Sequence, residues 1–124
     1  MILVDADILI DFLREKQEAK NFLNEHSGKI CVSIFTEMEL IAGCTDKAAL
    51  SKIKTFLDKF TILDANKDAV RLGARLFEKH RLGDSLGYVD ALIAGTAVSH
   101  HLTLYGRNEK HYRRLEGLKY IKPY

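Results

Sequence analysis

Short apolar runs rich in β-branched residues alternate along this chain with longer stretches of helical period, and this alternation restricts the fold more than any single motif. Strands are expected at Ile2 to Val4, Ile30 to Ile34, Thr61 to Leu63, Leu102 to Tyr105 and Lys119 to Ile121. Most of these runs are continuously apolar rather than alternating, as parallel strands buried on both faces are, because each crossover lays a helix over the sheet. Between them, Leu50, Ile53, Leu57 and Phe60 step by three, four and three along one helical face. A second helix is expected from an Asn66 N-cap, with Asp68 in its positive first turn, through Val70, Gly73, Leu76 and Phe77 towards His80, and Gly83 is expected to end it. RLGDSLGY reads as a loop. VDALIAGTAVSHH reads as a helix of small residues able to lie close against a sheet. The class is α/β: a four- to five-stranded parallel sheet flanked by helices.

No repeat, linker or low-complexity tract divides the 124 residues, and the only proline is Pro123, so one domain over 1–124 is expected. Hydrophobic residues at 47% and charged residues at 29% are ordinary globular values. No apolar stretch reaches the roughly 20 residues of a membrane span, and Met1 leads into a strand rather than a basic leader. The expectation is a cytoplasmic protein without a membrane partner. Cys31 and Cys44 lack metal-ligand or redox spacing and read as reduced thiols. His100 and His101 point about 100° apart on a helix and suit its C-terminus better than a metal site. The net charge is only +2, but the last eighteen residues, from Arg107, hold six Lys/Arg against two Glu. Such an end can attract phosphates or simply be a solvated surface.

Ligands of open α/β sheets gather beyond the carboxyl ends of the strands, which draws attention to the acids there. Asp5 closes the first strand, and Asp7, two residues on, fits the N-cap of a helix beginning near Ile8. After the second strand, SIFTEMELIAG reads as a helix capped by Ser33. Its Glu37 and Glu39 lie on nearly opposite faces, so one at most can enter a shared site, and spacing does not choose between them. Asp90 is the lone acid of an apolar helix, and the fourth strand runs out into YGRN with Arg107 and Asn108. Carboxylates delivered to one sheet edge would repel and raise each other's pKa unless a hard divalent ion, Mg²⁺ or Mn²⁺, offset them. Such an ion activates water and neutralises charge on a phosphate, so the chemistry implied is phosphodiester hydrolysis.

At this point the chain resembles the PIN-domain ribonucleases and, within them, the VapC-type toxins of toxin–antitoxin systems, over essentially its whole length. VDADILID resembles the family's opening strand and first catalytic Asp, which falls on Asp5. TEMELIAG resembles its Glu-bearing helix and selects Glu39, and YVDALIAGTA resembles its D-A-L-I-A-A-T-A segment, with the third acid at Asp90. LYGRNEKHYRRLEGL resembles its closing segment, with departures: Gly106 stands where Thr or Ser is usual, His111 where Asp is common, and the fourth position is the neutral Asn108.

The resemblance implies a PIN-like domain acting as a Mg²⁺- or Mn²⁺-dependent endoribonuclease. Asp5, Glu39 and Asp90 would bind the metal, and Asn108 would be an accessory ligand or water-positioning group. Arg107, Lys110, Arg113 and Arg114 would hold the RNA backbone, with Asp84 an outer candidate. It also implies a homodimer and a VapB-like antitoxin partner. Two other readings are weighed. In a haloacid-dehalogenase-like phosphatase Asp5 would be the nucleophile of a DxD pair, but no Gly-Thr follows it and the Asp84 to Asp90 spacing is wrong. A non-catalytic PIN-like module would bind RNA or a partner without cleaving.

Overall fold

All five apolar runs become strands of one sheet in the computed structural model, which describes residues 1–124. The strands are β1 (Ile2–Val4), β2 (Ile30–Ser33), β3 (Thr61–Leu63), β4 (Leu104–Tyr105) and β5 (Tyr120–Ile121). The helices are α1 (Ala6–Leu13), α2 (Gln17–Glu25), α3 (Ile34–Ala42), α4 (Lys47–Leu57), α5 (Lys67–His80), α6 (Tyr88–Ser99) and α7 (Glu109–Tyr112). Every pairing is parallel and the order is β3-β2-β1-β4-β5.

Side chains on successive strand residues point to opposite faces, so each central strand feeds two cores. Leu3, Cys31 and Leu104 join one core with Leu76, Ile93 and Tyr112, drawn from α5, α6 and α7. Val4, Ile30 and Val32 join the other with Ile8, Leu9, Phe22, Leu40 and Phe56, drawn from α1 to α4. Continuous burial holds for β2 and nearly for β1, whereas the edge strands β3 and β5 are partly exposed because only one neighbour covers each.

Local signals set most boundaries. Ser33 ends β2 and caps α3 by accepting from the Thr36 N–H at 3.1 Å, and Asn66 caps α5 through the Ala69 N–H at 2.7 Å. Two expectations are corrected and a third is extended. The first helix starts at Ala6 and its N-cap is Asp5, not Asp7. The helix α5 stops at His80, and Gly83 lies beyond it in a turn without needing the left-handed backbone a C-terminal glycine usually supplies. The small residues of α6 bring it against a helix as well as the sheet: a Cβ at Gly95 would fall 2.3 Å from the Ala69 carbonyl of α5.

The connections leave β1 towards β2 and β3 on one side and place β4 and β5 on the other. The strand order therefore reverses between β1 and β4, and the crevice at their carboxyl ends is where a fold of this kind binds its ligand. Asp5 follows β1 there and Gly106 follows β4.

Candidate active site

Asp5 is 5% exposed at the end of β1. Its Oδ1 accepts from the Ala6 N–H at 2.8 Å, and its Oδ2 accepts from the Tyr112 hydroxyl at 2.7 Å. Asp90, in the first turn of α6, has its Oδ1 3.1 Å from the same hydroxyl and its Oδ2 2.7 Å from His111 Nδ1. Two acids 85 residues apart in the chain thus meet at one oxygen atom supplied by α7. Asp7 is close enough for its charge to act on Asp5 and Glu39, but its hydrogen bond goes to another partner. Its Oδ2 accepts from the Arg107 N–H at 2.8 Å, tying the start of α1 to the end of β4, and its Oδ1 is buried without a partner.

Electrostatics mark this group as a concentration of negative charge. Burial pushes the Asp5 carboxyl up to about 8; Asp7 and Asp90 add to the rise, and the Tyr112 and Ala6 hydrogen bonds partly oppose it. Asp7 is raised chiefly by burial, with Asp11 adding, against the hydrogen bond from Arg107. Glu39 belongs to an exposed position on α3, yet screening of its carboxylate from water, followed by the charges of Asp90 and then Asp7, raises it as well. Tyr112 is held protonated well above its ordinary range by burial and by the two acids.

These facts test whether a divalent cation suits the group. Hard oxygen donors, mutual repulsion and the unpartnered Asp7 Oδ1 are what such an ion would offset. As the side chains lie, no three acid, His or Cys groups stand together closely enough to hold a metal ion, and both Asp90 oxygens are engaged by Tyr112 and His111. The donor chemistry fits a hard cation.

Other residues named from the sequence take varied positions. Asn108 contacts His111 Nδ1 at 2.8 Å, and because that nitrogen must carry its proton to serve Asp90, the amide suits it with its oxygen turned inward. Arg107 pairs with Asp11 at 3.2 Å and lies 4.8 Å over the Tyr124 ring, so its guanidinium is held down. Lys110, Arg113 and Arg114 line a cavity of about 420 Å³ with Gly83, Asp84 and Glu109. Within it Arg113 pairs with Glu109, and Arg114 stands 3.6 Å from Asp84. Asp84 itself is bound to His80 outside the acid group.

Sequence reasoning missed Tyr112 and named His111 only as a departure from the family's pattern, without a role. Both lie on the one-turn helix α7, where Asn108, His111 and Tyr112 follow the three-and-four spacing that puts side chains on one face. That spacing was the available signal.

Comparison with known proteins agrees with this arrangement. The PIN domain family matches residues 2–118. The tRNA(fMet)-specific endonuclease VapC of Salmonella typhimurium is 28% identical over 123 residues, covering 94% of this chain and 93% of that protein. Ribonuclease VapC10 of Mycobacterium tuberculosis is 31% identical over 122 residues, covering 96% and 91%. Among solved structures, a toxin–antitoxin complex from Klebsiella pneumoniae superposes with a TM-score of 0.85 at 28% identity, covering 100% of this chain and 98% of that one. A match along nearly the whole chain leaves the phosphatase reading without support. Its fold, its motif order and this match together make the chain a member of the PIN domain family.

Proposed function

We propose that the chain is an endoribonuclease of the VapC type that hydrolyses RNA phosphodiester bonds as the toxin of a toxin–antitoxin pair, inhibited by a VapB-like antitoxin. The observation that carries this reading is the meeting of Asp5 and Asp90 at the carboxyl edge of β1 and β4, within the field of Glu39. Relatives named ribonucleases or endonucleases support the activity, and neighbours solved as toxin–antitoxin complexes support the partner. A cytoplasmic homodimer is part of the proposal. No helix is long and apolar enough to cross a membrane.

In this reading Asp5, Glu39 and Asp90 hold Mg²⁺ or Mn²⁺. Bound there, the ion would supply Lewis acidity to activate water and to neutralise charge developing at phosphorus. His111 orients Asp90 through the hydrogen bond described, and Asn108 fixes the His111 ring. Lys110, Arg113 and Arg114 offer cations to RNA phosphates beside the helix that bears His111, a contribution that positions the substrate without reading its sequence. Arg107, held by Asp11 and Tyr124, contributes positive charge at the end of β4.

The test is Mn²⁺-dependent cleavage of RNA by Asp90→Asn, with initiator tRNA as the first substrate because a relative is named for it. Removing one electrostatic element of a hydrolytic site is expected to lower the rate by about a hundredfold or more, with the circular dichroism spectrum unchanged. Undiminished cleavage by that variant would overturn the site assignment. RNA binding by the wild type without any cleavage would favour the non-catalytic module.

A further inference from the structure

The hydroxyl of Tyr112 is more specific than its packing requires. The ring is 1% exposed and stacks near Tyr120 with centroids 5.3 Å apart in the core beneath α6, a place a phenylalanine would fill equally well. Its oxygen is the only polar atom the side chain brings into that core. Burying a hydroxyl is costly unless it is hydrogen-bonded, and here it reaches Asp5 Oδ2 at 2.7 Å and Asp90 Oδ1 at 3.1 Å.

Position 106 gives this contact a further meaning. A Cβ built on Gly106 would stand 3.5 Å from the same Asp5 Oδ2, as well as 3.2 Å from Asp5 Cβ and 3.6 Å from the Tyr120 ring. A serine or threonine there would therefore carry its hydroxyl within reach of the oxygen that Tyr112 already serves. The chain has glycine at that place, and its Asp5 Oδ2 receives a hydroxyl from α7 instead.

We propose that Tyr112 is a positioning residue of the acid pair: its hydroxyl holds Asp5 and Asp90 together in readiness for a divalent cation, reaching from α7 the Asp5 oxygen that a hydroxyl at position 106 would also reach. This rests on the reading of Asp5 and Asp90 as cation-binding acids. The Tyr112 O–H donates to one lone pair of Asp5 Oδ2, and the Ala6 N–H to one of Oδ1, so each oxygen keeps a second lone pair for a cation. Without the bridge, no hydroxyl would link the buried Asp5 to the half-buried Asp90, and the two side chains would move apart.

The experiment measures Mn²⁺ binding by isothermal titration calorimetry, beside RNA cleavage, for Tyr112→Phe, for Tyr112→Phe combined with Gly106→Ser, and for Asp90→Asn. Circular dichroism and thermal melting report whether each variant is folded. Partners that orient metal ligands are typically worth about tenfold to a hundredfold in affinity, so Tyr112→Phe is expected to weaken Mn²⁺ binding by about tenfold, with most of the lost cleavage regained at saturating Mn²⁺. Adding Gly106→Ser is expected to restore part of the affinity, which a merely structural tyrosine would not explain. Unchanged or tighter Mn²⁺ binding by Tyr112→Phe would overturn the proposal, and a folded double variant no better than the single one would overturn the equivalence of the two hydroxyls. If Asp90→Asn loses binding and cleavage while Tyr112→Phe keeps both, only this inference fails. If Asp90→Asn keeps both, the site reading beneath it fails.

Discussion

The Asp5 carboxylate ends β1, caps α1 through Ala6 N–H and accepts from Tyr112, all from a position 5% exposed to water. A capping aspartate on a surface helix is stabilising. Buried beside Asp7 and Asp90, this one carries a desolvation cost that its two hydrogen bonds only partly oppose. Asparagine has nearly the same shape without the charge. Asp5→Asn is therefore expected to raise the melting temperature in EDTA at pH 7.5, a gain of at least about 1 kcal/mol, since each pKa unit of displacement corresponds to about 1.4 kcal/mol. The same variant should lose the Mn²⁺-induced rise in melting temperature expected of the wild type. Differential scanning fluorimetry with and without Mn²⁺ checks both; a variant less stable than wild type in EDTA would mean that the cap outweighs the crowding. At this scale the sequence showed the acids but not their duties. The DxD spacing allowed either aspartate to cap, and only the approach of β4 decides, because the Arg107 N–H claims Asp7. Tyr112 was hidden for a similar reason: an aromatic beside a basic run looks like core or surface until Asp5, 107 residues away, is folded beside it.

Between elements, the closest approach in the fold is α5 on α6. A Cβ at Gly95 would lie 2.3 Å from the Ala69 carbonyl and 2.8 Å from the Gly73 N, both backbone atoms that cannot swing aside. Helix propensity alone favours Gly95→Ala by about 1 kcal/mol. Overpacking costs typically about 1–3 kcal/mol, and contact with rigid backbone belongs at the upper end, so the net expectation is destabilisation by about 1–2 kcal/mol with α6 pushed off α5. Urea denaturation checks the sign; a stabilised Gly95→Ala would show that the helices can part without loss. Since α6 carries Asp90, the same substitution should also lower cleavage. Most elements were readable from burial alone, because β1, β2 and the faces of α4 and α5 have only one way to bury their apolar residues. The exceptions share a cause. In α2 the buried Ala19, Phe22 and Leu23 are diluted by charged neighbours, and in α7, a four-residue turn, one three-and-four step is all the period there is to read. The strands β4 and β5 are two residues each and begin at Leu104 and Tyr120, later than the runs Leu102 to Tyr105 and Lys119 to Ile121 expected for them.

Across the molecule, His80 joins segments that the chain keeps apart. It ends α5, its Nδ1 meets Asp84 in the loop leading to α6, and its Nε2 meets Glu116 at 3.0 Å beyond α7, while Lys79 also pairs with Glu116 at 2.8 Å and Arg114 stands near Asp84. The ring is 7% exposed, and both nitrogens can donate to a carboxylate only when it is protonated. Hydrogen bonds that it donates to Asp84 first and to Glu116 second raise its pKa above the ordinary 6.5, against the effect of burial. Glu116 is lowered to about 2, by Lys79 first and His80 second. A group whose pKa rises on folding stabilises most below its unfolded value and loses that contribution as pH climbs through its folded one. A carboxylate whose pKa falls on folding contributes above its unfolded value, here 4.5, and loses that contribution as pH drops. The clasp should therefore be strongest between about pH 5 and 6.5 and weaken in alkaline solution. His80→Gln keeps the size of the side chain but cannot take the charge, so the difference in melting temperature between wild type and variant should be largest near pH 6 and shrink steadily towards pH 9. A difference independent of pH would make His80 a packing residue alone. If the clasp also braces the turn before Asp90, hydrogen exchange in residues 81–87 should accelerate in the variant at pH 6 and match the wild type at pH 9.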